Sequence, residues 1–407
     1  MPMLESYRRL LQHPGTLRFS LLGLVARLPI SMVGLGIVLL VEAASSSYAV
    51  AGLVSASFMV ANAVAGIGQG RLLDRFGQGR VLSICAMVFG VGMVLLIVSV
   101  LFGWSLPVVC LSAAIGGAAL PLVGSAARAR WAYVLGRSRQ LQTAFALEGV
   151  VDEAVFITGP MLVTFTVATI HPVAGLGSAA IACVVGTLAF SAQRDTEPPP
   201  HPRPVHPEGA RASRPPMPWR TVAPLAVVAV ALGVLFGASE VVTIAFADEQ
   251  DQPTMAGVLL AVMAVGSLIA GLAAGAVQWR RGPVIRVRWG ALAMGLAWLP
   301  ALFASSVAVL ALIMFLGGLA IAPTLAATFS VVEQAVPPAR ITEGMGIMHT
   351  GITAGVAPGA SLSGLVVDHH TAASAYAVCL VAGLVAAAAA VLLPGRPAEP
   401  SVPPETG

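Results

Sequence analysis

Twelve stretches of about 20 residues, almost free of charge, follow one another along this chain, and no water-soluble fold can bury that many continuous apolar runs. A hydrocarbon core of about 30 Å needs about 20 residues of helix. On that ruler spans fall near 18–42, 48–69, 79–102, 106–127, 142–168, 172–193, 221–247, 254–277, 284–304, 306–331, 341–366 and 372–394. A β-barrel would alternate apolar and polar residues in short segments, which these runs do not. With 57% hydrophobic and 10% charged residues and a mean hydropathy of +0.89, global disorder is excluded as well. The first run is too long for a signal peptide's apolar region and has eleven successors, so it is expected to stay as a helix. The fold class is therefore all-α and integral to the membrane, multi-pass, in the cell (plasma) membrane.

Every basic residue is arginine, and their placement sets the orientation. Arg8, Arg9 and Arg18 precede the first span; Arg71, Arg75 and Arg80 separate the second and third; Arg128, Arg130, Arg137 and Arg139 separate the fourth and fifth. The same face continues with Arg194 to Arg220, Arg280 to Arg288, Arg340 and Arg396, whereas the opposite connections carry acids, such as Asp248, Glu249 and Asp251, or nothing. The positive-inside rule then puts both termini in the cytoplasm, which requires an even number of spans. The net charge of +4 is thus a signal of topology, and no nucleic-acid partner is expected.

The one long connection, 191–220, is too rich in proline for helix or sheet and reads as an extended tether. It divides the chain into a first six-helix half (1–193), a Pro-rich cytoplasmic linker (194–220), a second six-helix half (221–394) and a cytoplasmic tail (395–407). The halves echo each other. A shift of 205 residues pairs Gly52 with Gly257, Gly66 with Gly271, Gly70 with Gly275, Arg75 with Arg280 and Gly77 with Gly282; Gly116-Gly117 and Gly317-Gly318 echo at a slightly different offset. The four cysteines are far apart in apolar runs and read as small core residues.

Between the second and third spans stands Gly70-Arg71-Leu72-Leu73-Asp74-Arg75-Phe76-Gly77-Gln78-Gly79-Arg80. Glycines permit a tight turn, and an acid among arginines can make charge-assisted hydrogen bonds to nearby helix ends. The order of Gly70, Leu72, Asp74, Arg75, Gly77, Arg80 and Leu82 resembles the signature loop of the major facilitator superfamily. That resemblance, extended by twelve spans in six plus six, implies a rocker-switch transporter. It also implies a path lined by the first, fourth, seventh and tenth spans, and an Asp74 that helps lock the outward-facing state against the eleventh. Leu73 and Gln78 depart from the family's usual choices, and Trp279 stands in the second half where Asp74 stands in the first. Gly159-Pro160 in the fifth span resembles the core of an exporter motif of the same superfamily, without its following glycines; structurally the pair is a helix bend.

Charges inside the spans carry the sharpest functional signal, since each costs about 2.5–3.5 kcal/mol at mid-bilayer. The fifth span has Glu148, Asp152 and Glu153; Glu148 and Asp152, four apart, share a face, and Glu153 points about 100° away. Arg27 lies in the first span and Glu240 in the seventh. Asp152, Glu153, Glu148 and Glu240 are candidates for proton coupling, with Glu148 as an entry relay. Arg27 is equally a charge partner for a span-5 acid or a substrate-binding group. Ser239, Thr243, Thr324 and Thr328 suit either a polar cavity or helix–helix hydrogen bonds.

A chain without lysine cannot hold the Gly-x-x-x-x-Gly-Lys-Ser/Thr phosphate loop, so ATP hydrolysis by that route is excluded. The seven histidines show no catalytic or metal-binding spacing, and neither enzyme activity, a cofactor nor a metal is expected. A receptor or scaffold would leave a membrane-buried acid cluster without a purpose. The expected function is secondary active transport: proton-coupled export of a small amphipathic or drug-like molecule by a monomer in lipid, with import of a metabolite as the alternative.

Overall fold

The computed structural model describes residues 2–45, 48–136, 138, 140–200, 215–252, 255–277, 279 and 281–394. Most of the proline-rich connection (201–214) and the tail (395–407), like Arg137, Arg139 and Arg280, lie outside the described residues. All regular structure among the described residues is helical. After a leading helix α1 (Pro2–Leu11) come α2 (Thr16–Arg27), α3 (Pro29–Ser45), α4 (Tyr48–Phe76), α5 (Gln78–Leu101), α6 (Leu106–Ala119), α7 (Val123–Leu135), α8 (Gln140–Thr169) and α9 (Pro172–Ala192). Then follow α10 (Trp219–Glu249), α11 (Met255–Ala276), α12 (Pro283–Leu296), α13 (Val307–Ala335), α14 (Ile341–His369), α15 (Ala372–Ala375) and α16 (Ala377–Val391).

Among the described residues, eleven segments are long and apolar enough to cross a membrane, including the joined pairs Thr16–Ser45 and Leu106–Leu135. The expected ninth span, 284–304, is different: α12 stops at Leu296 and a 3-10 turn, Leu299–Phe303, replaces its continuation. Pro300 is the cause, because it has no N–H to give the Leu296 carbonyl. The same chemistry breaks two other spans usefully. Pro29 ends α2 at Arg27, and Pro121 separates α6 from α7.

By contact density the chain divides into two compact units, Met1–Pro202 with Leu272–Ala276, and Arg203–Gly271 with Val277–Gly407. The first is built on a core that includes Val33, Ile37, Phe89, Met93 and Leu176, while Val64, Leu111, Ile181 and Val185 face outward, as a lipid-facing surface requires. The internal echo survives as packing. A methyl group on Gly117 would collide with the Phe58 carbonyl oxygen, and one on Gly318 with that of Met263. Phe58 and Met263 are related by the 205-residue shift seen in the sequence. Each unit thus seats a glycine of its fourth span on the same turn of its second.

Candidate functional site: a buried charge cluster in the first unit

The cluster begins at the break in the first span. Arg27, the last residue of α2, is 1% exposed and turns toward α8, where Glu148 and Asp152 present one face. Its Nη1 donates to Asp152 Oδ1 at 2.9 Å, and its Nη2 pairs closely with Glu148 Oε2. A second guanidinium completes the group: Arg128, 3% exposed, donates from Nη2 to Asp152 Oδ2 at 2.6 Å. Trp131, one turn on in α7, donates its indole N–H to Glu148 Oε1 at 2.7 Å and is held edge-on by Phe19 at 4.7 Å. Gly124 leaves the room both arginines need, since a methyl group there would touch Arg128 Nη1 and Arg27 Cδ.

The two acids differ in kind. Glu148 is fully buried, with one oxygen on Arg27 and the other on Trp131. Asp152 bridges two arginines yet its side chain keeps 29% exposure, so it is the least enclosed member of the cluster. At 1.5 Å per residue, Arg27 lies about 17 Å from the start of α2, Glu148 and Asp152 about 12 and 18 Å from the start of α8, and Arg128 about 11 Å from the end of α7. All four are therefore well inside their apolar spans. Leaving such charges unpaired would cost several kcal/mol each, which is why two cations meet two anions here.

Several sequence expectations change. Arg128 and Arg130 do not belong to a solvated connection between the fourth and fifth spans; both are buried in α7. The run Arg128-Ala-Arg130-Trp131 at the end of an apolar span was the signal that could have placed them. Glu148 is sealed from solvent, which does not suit an entry relay. Glu153 is half-buried, one helix step around from Asp152. Gly159 serves close approach, because a methyl group on it would collide with the Ser31 hydroxyl, which itself donates to the Val155 carbonyl at 2.8 Å; α8 continues through Pro160 to Thr169.

The signature loop is anchored at its base. Gly77 has φ 89°, open to glycine and strained for other residues, and Asp74 and Gly70 are buried while Arg75 and Arg80 are exposed. Gln78 donates to the Ala126 carbonyl at 3.2 Å and accepts from Arg130 Nε at 2.9 Å. Arg130 also donates to the Gln193 carbonyl at 3.0 Å and lies over the Phe190 ring at 3.9 Å. An amide suits position 78 because it both gives, to the Ala126 carbonyl, and accepts, from Arg130, where a cation would face the Arg130 guanidinium.

In the second unit, Ser239 and Thr243 are buried; Ser239 donates to the Phe236 carbonyl at 3.0 Å and Thr243 shares a 2.9 Å hydrogen bond with Tyr376. Thr324 and Thr328 are buried too and bond to carbonyls of their own helix. All four are thus hydrogen-bonded inside their unit. Glu240 is exposed on α10 and has no hydrogen bond or ion pair among the described residues. Glu343, in the first turn of α14, is fully buried and gripped by Arg340 through two bonds of 2.8 and 2.7 Å. No three His, Cys, Asp or Glu residues among those described converge as metal ligands.

The family model of the Major Facilitator Superfamily matches residues 19–251 and 241–407. The chain belongs to the Major Facilitator Superfamily. Solved structures agree on the fold of these transporters. A human organic anion transporter matches with a TM-score of 0.74 at 18% identity, covering 94% of this chain and 100% of that one. An outward-facing bacterial homologue of the iron transporter ferroportin matches at 0.73 and 14%, covering 92% and 98%. The E. coli fucose:proton symporter matches at 0.70 and 13%, covering 93% and 98%. Among curated protein sequences there is no significant match. The cluster of Arg27, Arg128, Glu148 and Asp152 joins the first, fourth and fifth candidate spans, all in the first unit.

Proposed function

We propose that this superfamily member is a proton-coupled secondary active transporter with twelve spans in two six-helix halves, both termini cytoplasmic, working as a monomer in the plasma membrane. The observation that carries the reading is Asp152: a carboxylate inside an apolar span, part of its side chain uncovered, held between two guanidiniums. A group so placed can exchange a proton with water, and the exchange changes the balance of a cluster that the bilayer requires to be neutral. Motion that draws an arginine away favours proton uptake; motion that restores the contact favours release. Such a linkage couples the proton to alternating access. The Gly159-Pro160 pair supports outward movement of a small amphipathic molecule, with Asp74 as the conformational lock and Glu240 as a second acid available to the cycle.

The test uses inverted vesicles and a chemical library, comparing accumulation under an imposed pH gradient with accumulation after its collapse. Asp152→Asn should abolish gradient-driven accumulation while sparing substrate exchange without a gradient. Glu153→Gln, made beside it, separates the two neighbouring acids. Wild-type accumulation by Asp152→Asn, Glu153→Gln and the double variant would remove the proton site from α8 and leave Glu240 as the acid to examine.

A further inference from the structure

The cluster holds more positive reach than a proton site needs. A carboxylate that only binds and releases a proton is served by one nearby cation; here Arg27 and Arg128 converge on the two oxygens of Asp152 from different helices, α2 and α7, and both are buried. The other acid cannot be their partner in exchange, because Glu148 is sealed and already engaged by Arg27 and Trp131. Asp152 therefore occupies, from the partly open side, the place where two guanidinium edges present donors to an oxyanion. Arg27 Nε is also buried with no hydrogen-bond partner among the described residues, so the guanidinium has donor capacity that the protein leaves unused.

We infer that the transported substrate is an organic monoanion, a carboxylate or sulfonate, which binds Arg128 and Arg27 in place of the Asp152 carboxylate while Asp152 carries a proton. The inference rests on the proton-coupling reading above and names its substrate class. Counted over the groups that face one another, Arg27 on α2, Arg128 on α7, and Glu148 and Asp152 on α8 sum to zero charge. A proton alone makes the cluster +1, an anion alone makes it −1, and the two together return it to zero. In a low-dielectric span the doubly loaded and empty forms are the favoured ones, so each ligand raises the affinity for the other. Glu153, adjacent on α8, is the remaining acid in the neighbourhood and is left unchanged in this count. The step involves no covalent chemistry: the proton comes from water to an Asp152 oxygen, the two arginine hydrogen bonds to that carboxylate are broken, and two are made to the substrate. Proton and anion then move in the same direction without net charge, and outward movement follows where the anion's outward gradient exceeds the opposing proton gradient. Glu148 is a positioning residue that, with Trp131, keeps Arg27 facing the site.

The experiment uses the full-length protein in liposomes with an internal pH dye, and a size-matched panel of aryl sulfonates, aryl sulfonamides and aryl trimethylammonium ions; a sulfonate does not cross lipid as a neutral acid. The expected result is that sulfonates alone are moved, each with about one proton. In nanodiscs, binding of the same sulfonate should weaken at least tenfold from pH 5.5 to pH 8.5. Asp152→Asn, which mimics the protonated cluster, should bind sulfonate at pH 8.5 at least tenfold more tightly than wild type and lose the pH dependence. Arg128→Gln should lose at least tenfold in sulfonate affinity. The double variant Arg128→Gln with Asp152→Asn keeps the cluster neutral and guards against simple misfolding; it should fold with wild-type yield yet bind sulfonate weakly. Movement of the ammonium ions in exchange for protons, abolished by Asp152→Asn, would overturn the anion inference and leave proton coupling standing. Movement of no sulfonate, or of sulfonates without protons, also overturns the inference. Proton-coupled movement unchanged by Asp152→Asn would overturn both.

Discussion

The first and fifth spans of each unit form a pair, and the two pairs are built from opposite materials. In the first unit, α2 and α3 meet α8 through Arg27, Glu148, Asp152 and the Ser31 hydroxyl, with Gly159 making room for Ser31. In the second, α10 meets α14 through glycine on both sides. Methyl groups on Gly233 and Gly237 would collide with the carbonyl oxygens of Ile352 and Val356, and on Gly355 and Gly359 with those of Val230 and Val234. Backbone on backbone over two turns leaves no space for a side chain, and association then rests on van der Waals contact. Corresponding helix pairs of the two units thus differ, one contact made by charged side chains and one by the fit of backbone on backbone. Under the proposed proton coupling, the charged contact of the first unit is the one that a proton would alter, and the glycine-lined contact of the second is not.

The largest effect that would test this contrast is at Arg27. Arg27→Met leaves Glu148 without its guanidinium and should cost about 3–5 kcal/mol. It reads out as earlier thermal exposure of the buried Cys183 thiol to a fluorogenic dye. Adding Glu148→Gln should restore most of the loss, and a double variant no better than the single would show that shape, not charge, governs this contact too. Next, Gly237→Val should cost about 1–3 kcal/mol or more, because the obstacle is a carbonyl that cannot rotate away; Cys379 reports on this unit. Unchanged melting would mean that the α10–α14 pair is looser than its glycines imply. Third, Gly117→Ala and Gly318→Ala meet equivalent carbonyls and should lose similar amounts, about 1–3 kcal/mol each. Unequal losses would break the equivalence of the halves. Smallest, Gly159→Ala should cost under about 1 kcal/mol once Ser31 is also made alanine, since its obstacle is a side chain. Persistence of a large loss in the double variant would equate Gly159 with the zipper glycines.

Local chemistry made much of this readable in advance. Unbroken apolar runs announce spans because a bilayer forbids unsatisfied backbone, and the four-residue spacing of Glu148 and Asp152 puts them on one face of any helix. The signature order around Asp74 is likewise a property of adjacent residues. What could not be read was which partners arrive from elsewhere. Arg128 looked like a cytoplasmic charge because positive-inside reasoning counts residues by position in the chain, and only the packing of α7 against α8 turns it onto Asp152. That Ser239, Thr243, Thr324 and Thr328 are all buried was likewise beyond reach of their positions in the chain.

By itself the sequence determined that this chain lives in lipid, about where most of its spans fall, that its two parts echo each other, and which superfamily it resembles, because each of these follows from composition, periodicity or contiguous motif; the breaks at Pro29, Pro121 and Pro300 came only with the structure. The tertiary structure alone decided that Glu148 is sealed while Asp152 is reachable, that two arginines rather than one meet that carboxylate, that Gln78 suits Arg130, and that one helix pair is charged where its counterpart is glycine-lined. These depend on distances between residues more than 20 positions apart, and in a membrane interior the favourable energy of a charge is set by the partner it meets.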